Sequence, residues 1–213
     1  MIDQIICGDA LEILKDLPEN CCRCCVTSPP YFNLRNYGVA GQIGLEPTIE
    51  EYISRLVAVF AQVKRVLTND GTLWVNISDC YSGSAKGSAY YPQYNEGSKE
   101  EGRKGLLSLK DAPKVKWQLP RKNLLGLPWR LAFALQDDGW ILRQDIIWSK
   151  TNCMPESVRD RCTKSHEYIF LLAKEPVYFY NNTAIMEPVA QSTSVRMRQN
   201  IEGQQGSIRA HGG

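Results

Sequence analysis

Short apolar runs alternate with amphipathic helical segments along most of this 213-residue chain. The clearest helix is predicted over residues 48–67, where Thr48 and Glu51 form a capping box and apolar side chains recur at helical spacing. Strands that alternate with helices predict an α/β fold with a mostly parallel sheet. The length suits one hydrophobic core with a single excursion from it.

The loops after the predicted strands are the candidate site, because the carboxyl ends of parallel strands meet at one sheet edge. A strand is predicted at residues 5–7, before a short helix that Asp9 caps. Further strands are predicted in "CRCCVTS", "TLWVNIS", "WILRQDIIWSK" and "EYIFLLAK", and a helix in "LLGLPWRLAFALQDDG". The candidate site loops are therefore residues 8–9, 28–38 and 78–82.

Two segments interrupt this pattern. Residues 83–122 are rich in Gly, Ser, Lys and Tyr, and the stretch 82–122 holds nine Lys and Arg against four Asp and Glu. A loop of this length inside a compact domain is typically functional or mobile, so we interpret it as a basic, mobile insertion. Residues 189–213 form a polar tail or surface loop.

Composition narrows the class of protein. With 43% hydrophobic and 23% charged residues, the chain is typical of a soluble globular protein. Its apolar runs are much shorter than the roughly 20 residues of a membrane span. The first residues show no basic leader before an apolar stretch, so we expect a cytoplasmic protein without membrane contact. The net charge of +2 does not by itself indicate a nucleic-acid partner.

The eight cysteines include Cys21, Cys22, Cys24 and Cys25, which contain two overlapping C-x-x-C spacings. A zinc site needs a second pair of Cys or His ligands at a suitable spacing, and the remaining cysteines and histidines are scattered. Free cysteine also behaves as a small buried hydrophobic residue. We favour the structural interpretation, with these cysteines filling a strand and no metal site.

The segment "TSPPYF" follows the second predicted strand. Its two prolines stiffen the backbone and remove two N–H donors, which leaves mainly carbonyl acceptors. Ser28 adds a side-chain acceptor, and Tyr31 adds an aromatic face that can stack on a flat ring. Such a site suits a planar group with an exocyclic NH2. When the site accepts hydrogen bonds from both N–H groups, the nitrogen lone pair is drawn out of conjugation with the ring and can attack an electrophile. Catalysis would then depend on positioning and preorganised dipoles.

"VTSPPY", together with the upstream "CGDALEILKDLP", resembles the circularly permuted β group of bacterial and phage amino-DNA methyltransferases. The likeness continues through "NLRNYG", "NDGTLWVNISD" and "RCTKSHEYIFLLAK" and covers residues 1–188, which it identifies as the catalytic region. It implies a Rossmann-like, S-adenosylmethionine-dependent methyltransferase fold. It also implies methyl transfer to an exocyclic base amine, as in restriction-modification. "TSPPY" favours cytosine N4, and adenine N6 is the alternative.

The resemblance also implies roles for single residues. Ser28 and the Pro29 carbonyl would accept the target amine, Pro30 would hold the loop, and Tyr31 would stack on the base. The target lies inside double-stranded DNA, so the nucleotide must be flipped out. The cofactor contacts would be Gly8, Asp9 and Ser28, and the DNA phosphate contacts Arg35, Lys86, Lys150 and Arg161.

One feature of that family is not found in this sequence. No F-x-G-x-G cofactor motif occurs between Gly38 and Gly213, and in the permuted order it would come after this chain. We therefore expect an N-terminal fragment, a half that a complementing chain or a homodimer completes, or a truncated relic. The rival functions are a non-catalytic DNA-binding or assembly half, and methylation of RNA or a protein amide. His166 and Glu167 are interpreted as structural or surface residues, since this chemistry needs no general base there.

Overall fold

The structure of the protein is a computed structural model that describes residues 3–83, 115–153, 155–189 and 193. Most of the predicted basic insertion, with Lys86, and most of the predicted tail lie outside the described residues. By compactness the chain divides into two units, Met1–Phe179 and Tyr180–Gly213. The second contains a short 3-10 helix, Asn182–Ile185, which Asn181 caps.

The first unit contains the described α-helices and strands that form one layered domain. Two helices, α2 and α3, contribute to the same buried core as the central strands. In chain order the elements are α1 (Ala10–Asp16), β1 (Cys22–Thr27), α2 (Ile49–Val66), β2 (Leu67–Ile77), α3 (Leu127–Asp137), β3 (Ile141–Ser149) and β4 (His166–Ala173).

The four strands form one mixed sheet in the order β1-β2-β4-β3. β1 and β2 are parallel, whereas β4 runs antiparallel to both β2 and β3. The α/β class is confirmed, but among the described strands the sheet is mixed rather than mostly parallel, so that part of the prediction is wrong. Parallel neighbours need a crossover connection, which α2 provides between β1 and β2. Residues 150–165 form no helix where they are described, so β4 returns antiparallel beside β3.

The long helix α2 forms as its sequence predicts. The Thr48 hydroxyl accepts a hydrogen bond from the Glu51 amide at 3.2 Å and caps the first turn. One face of the helix is buried, and each of its large apolar side chains contributes about 1.5–3 kcal/mol relative to exposure. The buried residues of α2 are Ile49, Tyr52, Leu56, Phe60, Val63 and Val66.

The predicted strand at residues 5–7 does not form. Those residues have no regular structure, and Ile5 is fully exposed. A strand needs a neighbour to accept and donate its backbone hydrogen bonds, and no described strand lies beside these residues. α1 forms as predicted, and the Arg65 guanidinium of α2 holds its end by donating to the Leu14 and Leu17 carbonyls at 2.7 and 2.9 Å.

The cysteine-rich segment forms β1, as its interpretation as a strand predicts. Cys22 and Cys25 are half-buried, and burial raises the pKa of Cys25 to about 11. Cys21 and Cys24 are exposed, so only part of the cluster fills the interior. Within the described ranges, no group of three or more His, Cys, Asp or Glu side chains is arranged to hold a metal ion.

None of the described helices is long and apolar enough to cross a membrane.

Candidate functional site

The Ser-Pro-Pro-Tyr loop directly follows the last residue of β1, Thr27. Its backbone is fixed from below by α2, because the Tyr52 hydroxyl donates a 2.9 Å hydrogen bond to the Pro30 carbonyl. Tyr52 is fully buried, and that burial raises the pKa of its phenol, so the hydroxyl stays protonated and remains a donor. One backbone carbonyl of the loop is therefore hydrogen-bonded to a side chain of the hydrophobic core.

A second loop packs against the first. The Asn33 amide donates to the Gly44 carbonyl at 2.7 Å, and Gly44 adopts φ = 101°. A Cβ at Gly44 would lie 2.9 Å from the Tyr31 carbonyl oxygen, so glycine permits this close approach. Buried Glu46 accepts from the Gly44 amide and from Arg55 of α2, each at 2.8 Å. These contacts tie residues 33–46 to the long helix.

Ser28 and Tyr31 meet a polar side chain of β2. The exposed Ser28 hydroxyl lies 3.2 Å from the Tyr31 hydroxyl and 3.4 Å from Asn76 Oδ1. The half-buried Tyr31 hydroxyl lies 2.8 Å from Asn76 Oδ1. The Asn76 amide nitrogen donates to the Tyr168 carbonyl at 3.1 Å, which leaves Oδ1 to accept from the hydroxyls.

Glu167 completes this network from the start of β4. Its Oε2 accepts from the Tyr31 hydroxyl at 3.1 Å, and its Oε1 forms an ion pair with Lys150. Because β4 is antiparallel to β2 and β3, its first residues lie at the edge where those strands end. The sheet topology therefore brings Glu167 and Lys150 beside the loop after β1.

Burial and hydrogen bonding act in opposite directions on the Glu167 carboxyl, whose side chain is 12% exposed. Burial raises its pKa, but hydrogen bonds from Lys150 and Tyr31 outweigh that effect and lower the pKa overall. For Tyr31, burial raises the pKa of the phenol and the nearby Glu167 charge adds to the rise. At neutral pH the site therefore holds the Glu167 carboxylate and a protonated Tyr31 phenol, with Lys150 ion-paired to the carboxylate.

A cavity of about 280 Å³ opens beside this network. It is large enough to admit a flat heteroaromatic ring, and it carries aromatic, acidic and basic side chains. The lining residues include Tyr31, Phe32, Asp79, Lys150, His166 and Glu167.

The third predicted site loop, residues 78–82, also reaches this cavity. Asp79 accepts hydrogen bonds from the Gly126 and Leu127 amides at 3.0 and 3.1 Å, at the start of α3. Gly126 has φ = 70° and provides no side-chain cap, so Asp79 supplies the acceptor that this helix end needs. Burial raises the pKa of the Asp79 carboxyl. Asp79 thus joins the cavity wall to α3.

Gly8 and Asp9, the predicted cofactor contacts, are exposed and do not line this cavity. Asp9 Oδ1 accepts from the Leu11 and Glu12 amides at 3.0 and 3.2 Å and caps α1. The predicted cap is therefore confirmed, and Oδ2 remains for another donor. The cofactor role of these two residues stays a prediction.

The predicted DNA contacts occupy different settings. Arg35 is exposed in the loop that follows Tyr31, whereas half-buried Lys150 is paired with Glu167. Arg161 pairs with Glu156, and its guanidinium lies 4.2 Å from the centroid of the Tyr81 ring. Carboxylates thus partly neutralise two of these three positive charges. Their contact with phosphate stays a prediction.

Asn76 and Glu167 are the members of this network that sequence reasoning did not select. Each is a polar residue within or next to an apolar strand, in "LWVNIS" and "HEYIFLLA". A buried polar side chain usually has a specific partner, and that pattern is a signal for both. It does not identify the partner, which comes from strand pairing.

Comparison with solved structures shows which known fold this chain shares. The fold matches "PvuII DNA methyltransferase (cytosine-N4-specific)" with a TM-score of 0.54, covering 84% of this chain and 51% of that one at 17% identity. A Thermus thermophilus structure described as a "Putative DNA Modification Methylase", complexed with S-adenosyl-L-methionine, matches with a TM-score of 0.50 at 22% identity, covering 92% and 59%. At these identities the likeness shows the fold alone, which is that of the Rossmann-like methyltransferases.

The chain belongs to the N6/N4 DNA methylase family, whose model matches residues 22–208. Type II methyltransferase M.XycI of Xanthomonas campestris pv. cyanopsidis is 50% identical over 194 residues, 91% of this chain and 61% of that protein. Type II methyltransferase M.Cfr9I of Citrobacter freundii is 49% identical over 180 residues, 84% of this chain and 57% of that protein. The chain thus spans about three fifths of the length of these relatives.

Proposed function

We propose that this chain is the acceptor-binding part of a site-specific DNA methyltransferase. It would move a methyl group from S-adenosylmethionine to an exocyclic base amine, cytosine N4. The observation that carries the proposal is the exposed Ser28 hydroxyl, hydrogen-bonded to Tyr31 at the end of β1 and next to the cavity that Tyr31 lines. Family membership and the Type II methyltransferase relatives support DNA as the substrate. The "TSPPY" sequence supports cytosine over adenine.

The acceptor loop is preorganised for this role. Ser28 Oγ and the Pro29 carbonyl accept the two N–H groups of the target amine, which directs its lone pair out of the ring plane. The Pro30 carbonyl is held by the hydrogen bond from Tyr52 of the core. The Tyr31 ring, held through its hydroxyl by Asn76 and Glu167, stacks on the flipped base. Fixed dipoles of this kind need no reorganisation during the reaction.

The described residues fit a methyl donor at two positions. The Asp9 carboxylate is exposed and has one oxygen left after capping α1, and the Ser28 hydroxyl is exposed beside the acceptor loop. Gly8, the other predicted cofactor contact, directly precedes Asp9, and a Cβ at Gly8 would lie 2.9 Å from the Ile13 side chain. S-adenosylmethionine, when bound, supplies a methyl group activated by a sulfonium. The predicted complementing chain or homodimer partner would supply the Gly-rich part of that site.

The basic side chains around the cavity would hold the DNA backbone. Arg35 and Arg161 lie in loops, and Lys150 follows β3 directly. Each phosphate that such a side chain neutralises releases counterions and makes binding depend on salt. We assign Lys86 the same role from its sequence context. The setting is a cytoplasmic restriction-modification system, in line with the Type II names of the relatives.

Nucleoside mass spectrometry tests the proposal. DNA is prepared from cells that express the whole natural reading frame, and from cells that express the same frame with Ser28→Ala. We expect N4-methylcytosine in the first sample and a strong reduction in the second. N6-methyladenine instead would assign the enzyme to adenine. The DNA could also contain neither methylated base although the protein is folded and binds duplex DNA in a salt-dependent way. That result would support the non-catalytic assembly function.

A further inference from the structure

We infer that Glu167 receives the proton that the target amine loses, by way of the Ser28 and Tyr31 hydroxyls. The inference rests on the proposed function and deepens it, because it identifies where the surplus proton goes.

Amine methylation creates a need for a proton acceptor. The nitrogen–carbon bond forms as the carbon–sulfur bond breaks, so the positive charge moves from sulfur to the amine nitrogen. That nitrogen must then lose a proton to yield the neutral methylated base. A cationic exocyclic amine on an electron-poor nucleobase is a far stronger acid than a carboxylic acid, because losing its proton restores conjugation with the ring. A carboxylate can therefore take that proton even when hydrogen bonds stabilise its charge. Proton transfer to a positioned group is an ordinary contribution to enzyme rates.

The hydrogen bonds of the site form a continuous path to such a group. The Ser28 hydroxyl donates to the Tyr31 oxygen at 3.2 Å, and the Tyr31 hydroxyl lies 3.1 Å from Glu167 Oε2. Asn76 Oδ1, 2.8 Å from the Tyr31 hydroxyl, is the competing acceptor. An amide oxygen is a very weak base, so Asn76 orients the phenol without ending the path.

Three proton shifts along this path balance the reaction. The amine proton moves to Ser28 Oγ, the hydrogen of Ser28 moves to the Tyr31 oxygen, and the hydrogen of Tyr31 moves to Glu167 Oε2. Both hydroxyls are restored, the base is neutral, and Glu167 is a neutral carboxylic acid. The Lys150 ammonium at the other oxygen keeps the carboxylate ionised before each turnover.

The other carboxylates of the cavity wall are otherwise engaged. Asp79 accepts backbone hydrogen bonds from Cys80, Gly126 and Leu127. Glu156 is paired with Arg161. Within the part of the chain that the structure describes, Glu167 is the carboxylate hydrogen-bonded to Tyr31.

The test uses the whole protein with Glu167→Gln, Glu167→Asp, Tyr31→Phe and the Tyr31→Phe/Glu167→Gln pair. Exposed Glu175, just beyond β4, provides the matched control Glu175→Gln. Single-turnover transfer is measured against pH. Duplex affinity and the fluorescence of a base analogue at the target position are measured without cofactor.

We expect Glu167→Gln to slow transfer by about 100-fold or more, since positioned acid–base groups contribute about 10²–10⁴-fold. Duplex affinity and base-analogue fluorescence should stay near the wild-type values. The decline of the rate in acid should disappear in this variant, and Glu167→Asp should recover part of the rate. The double variant should be no slower than the slower single one, because both changes interrupt one path.

Three results would overturn the inference. If Glu167→Gln keeps the wild-type rate, the proton leaves by another route and the proposed function still stands. If rate, affinity and fluorescence fall together, Glu167 only holds the Tyr31 ring. If the wild-type protein transfers no methyl group to DNA, the proposed function fails and the path fails with it.

Discussion

The Tyr52 hydroxyl of α2 donates a 2.9 Å hydrogen bond to the Pro30 carbonyl in the acceptor loop. This bond links the centre of the hydrophobic core to the backbone of the candidate site. It explains how a loop at a strand end holds its shape, since the two prolines stiffen the chain locally and Tyr52 fixes it to the core.

Tyr52→Phe removes that hydroxyl and keeps the ring. The Pro30 carbonyl is left without its buried partner, so we expect the free energy of unfolding to fall by about 1–3 kcal/mol. Urea unfolding of the whole protein measures the loss. Tyr178→Phe is the control, because its hydroxyl binds Arg143 at the surface and surface changes usually stay within about 0.5 kcal/mol. Equal losses in the two variants would argue against the anchoring role.

Gly44→Ala should displace the acceptor loop. The new Cβ would lie 2.9 Å from the Tyr31 carbonyl, and φ = 101° adds strain. Gly41→Ala is a matched control, because Gly41 also has a positive φ, of 74°, but nothing lies within 4 Å of its Cβ position. Strain alone costs about 1–2 kcal/mol, so we expect Gly44→Ala to lose more than Gly41→Ala in urea unfolding. If both variants lose the same free energy of unfolding, the close approach of residue 44 to the Tyr31 carbonyl has no effect.

Ser28→Ala should slow methyl transfer far more than it weakens DNA binding, since Ser28 is proposed to act on the amine during the reaction. Loss of one preorganised polar contact costs about 100-fold or more in comparable sites. Single-turnover rates and duplex titrations on the whole protein separate the two effects. Ser54→Ala, on the exposed face of α2, is the control. A parallel loss of rate and affinity would assign Ser28 to binding alone.

Glu167 should make the free energy of unfolding depend on pH in the acid range. Burial raises the pKa of Glu167, but hydrogen bonds from Lys150 and Tyr31 bring it below the ordinary value of 4.5. A lowered pKa means that the stabilisation is present above pH 4.5 and is lost as the pH falls through the folded-state value. Urea unfolding from about pH 3 to 7 should therefore show the gap between wild type and Glu167→Gln narrowing in acid. A gap that stays constant with pH contradicts this, and Glu175→Gln controls for the loss of one charge.

The local elements could be predicted because their signals are local. Thr48 and Glu51 mark the start of α2, and the double proline marks the end of β1. Residues 5–7 have the composition of a strand, but no described strand lies beside them to pair with. The composition of a segment does not show whether such a neighbour exists. The antiparallel direction of β4 could not be predicted for a related reason. The direction of a strand relative to its neighbour depends on the whole connection between the two strands.

The amino-acid sequence alone predicts the α/β class, the positions of the long helices and of four strands, and the placement of Ser28 and Tyr31 after a strand. The contact of Glu167 with Tyr31, and of Lys150 with Glu167, arises only when the chain folds. Tyr31 and Glu167 lie 136 residues apart, and their contact arises because β4 pairs in the opposite direction to its neighbours. Helix and strand propensities act over a few residues, whereas strand pairing depends on which distant segments together bury the most apolar surface.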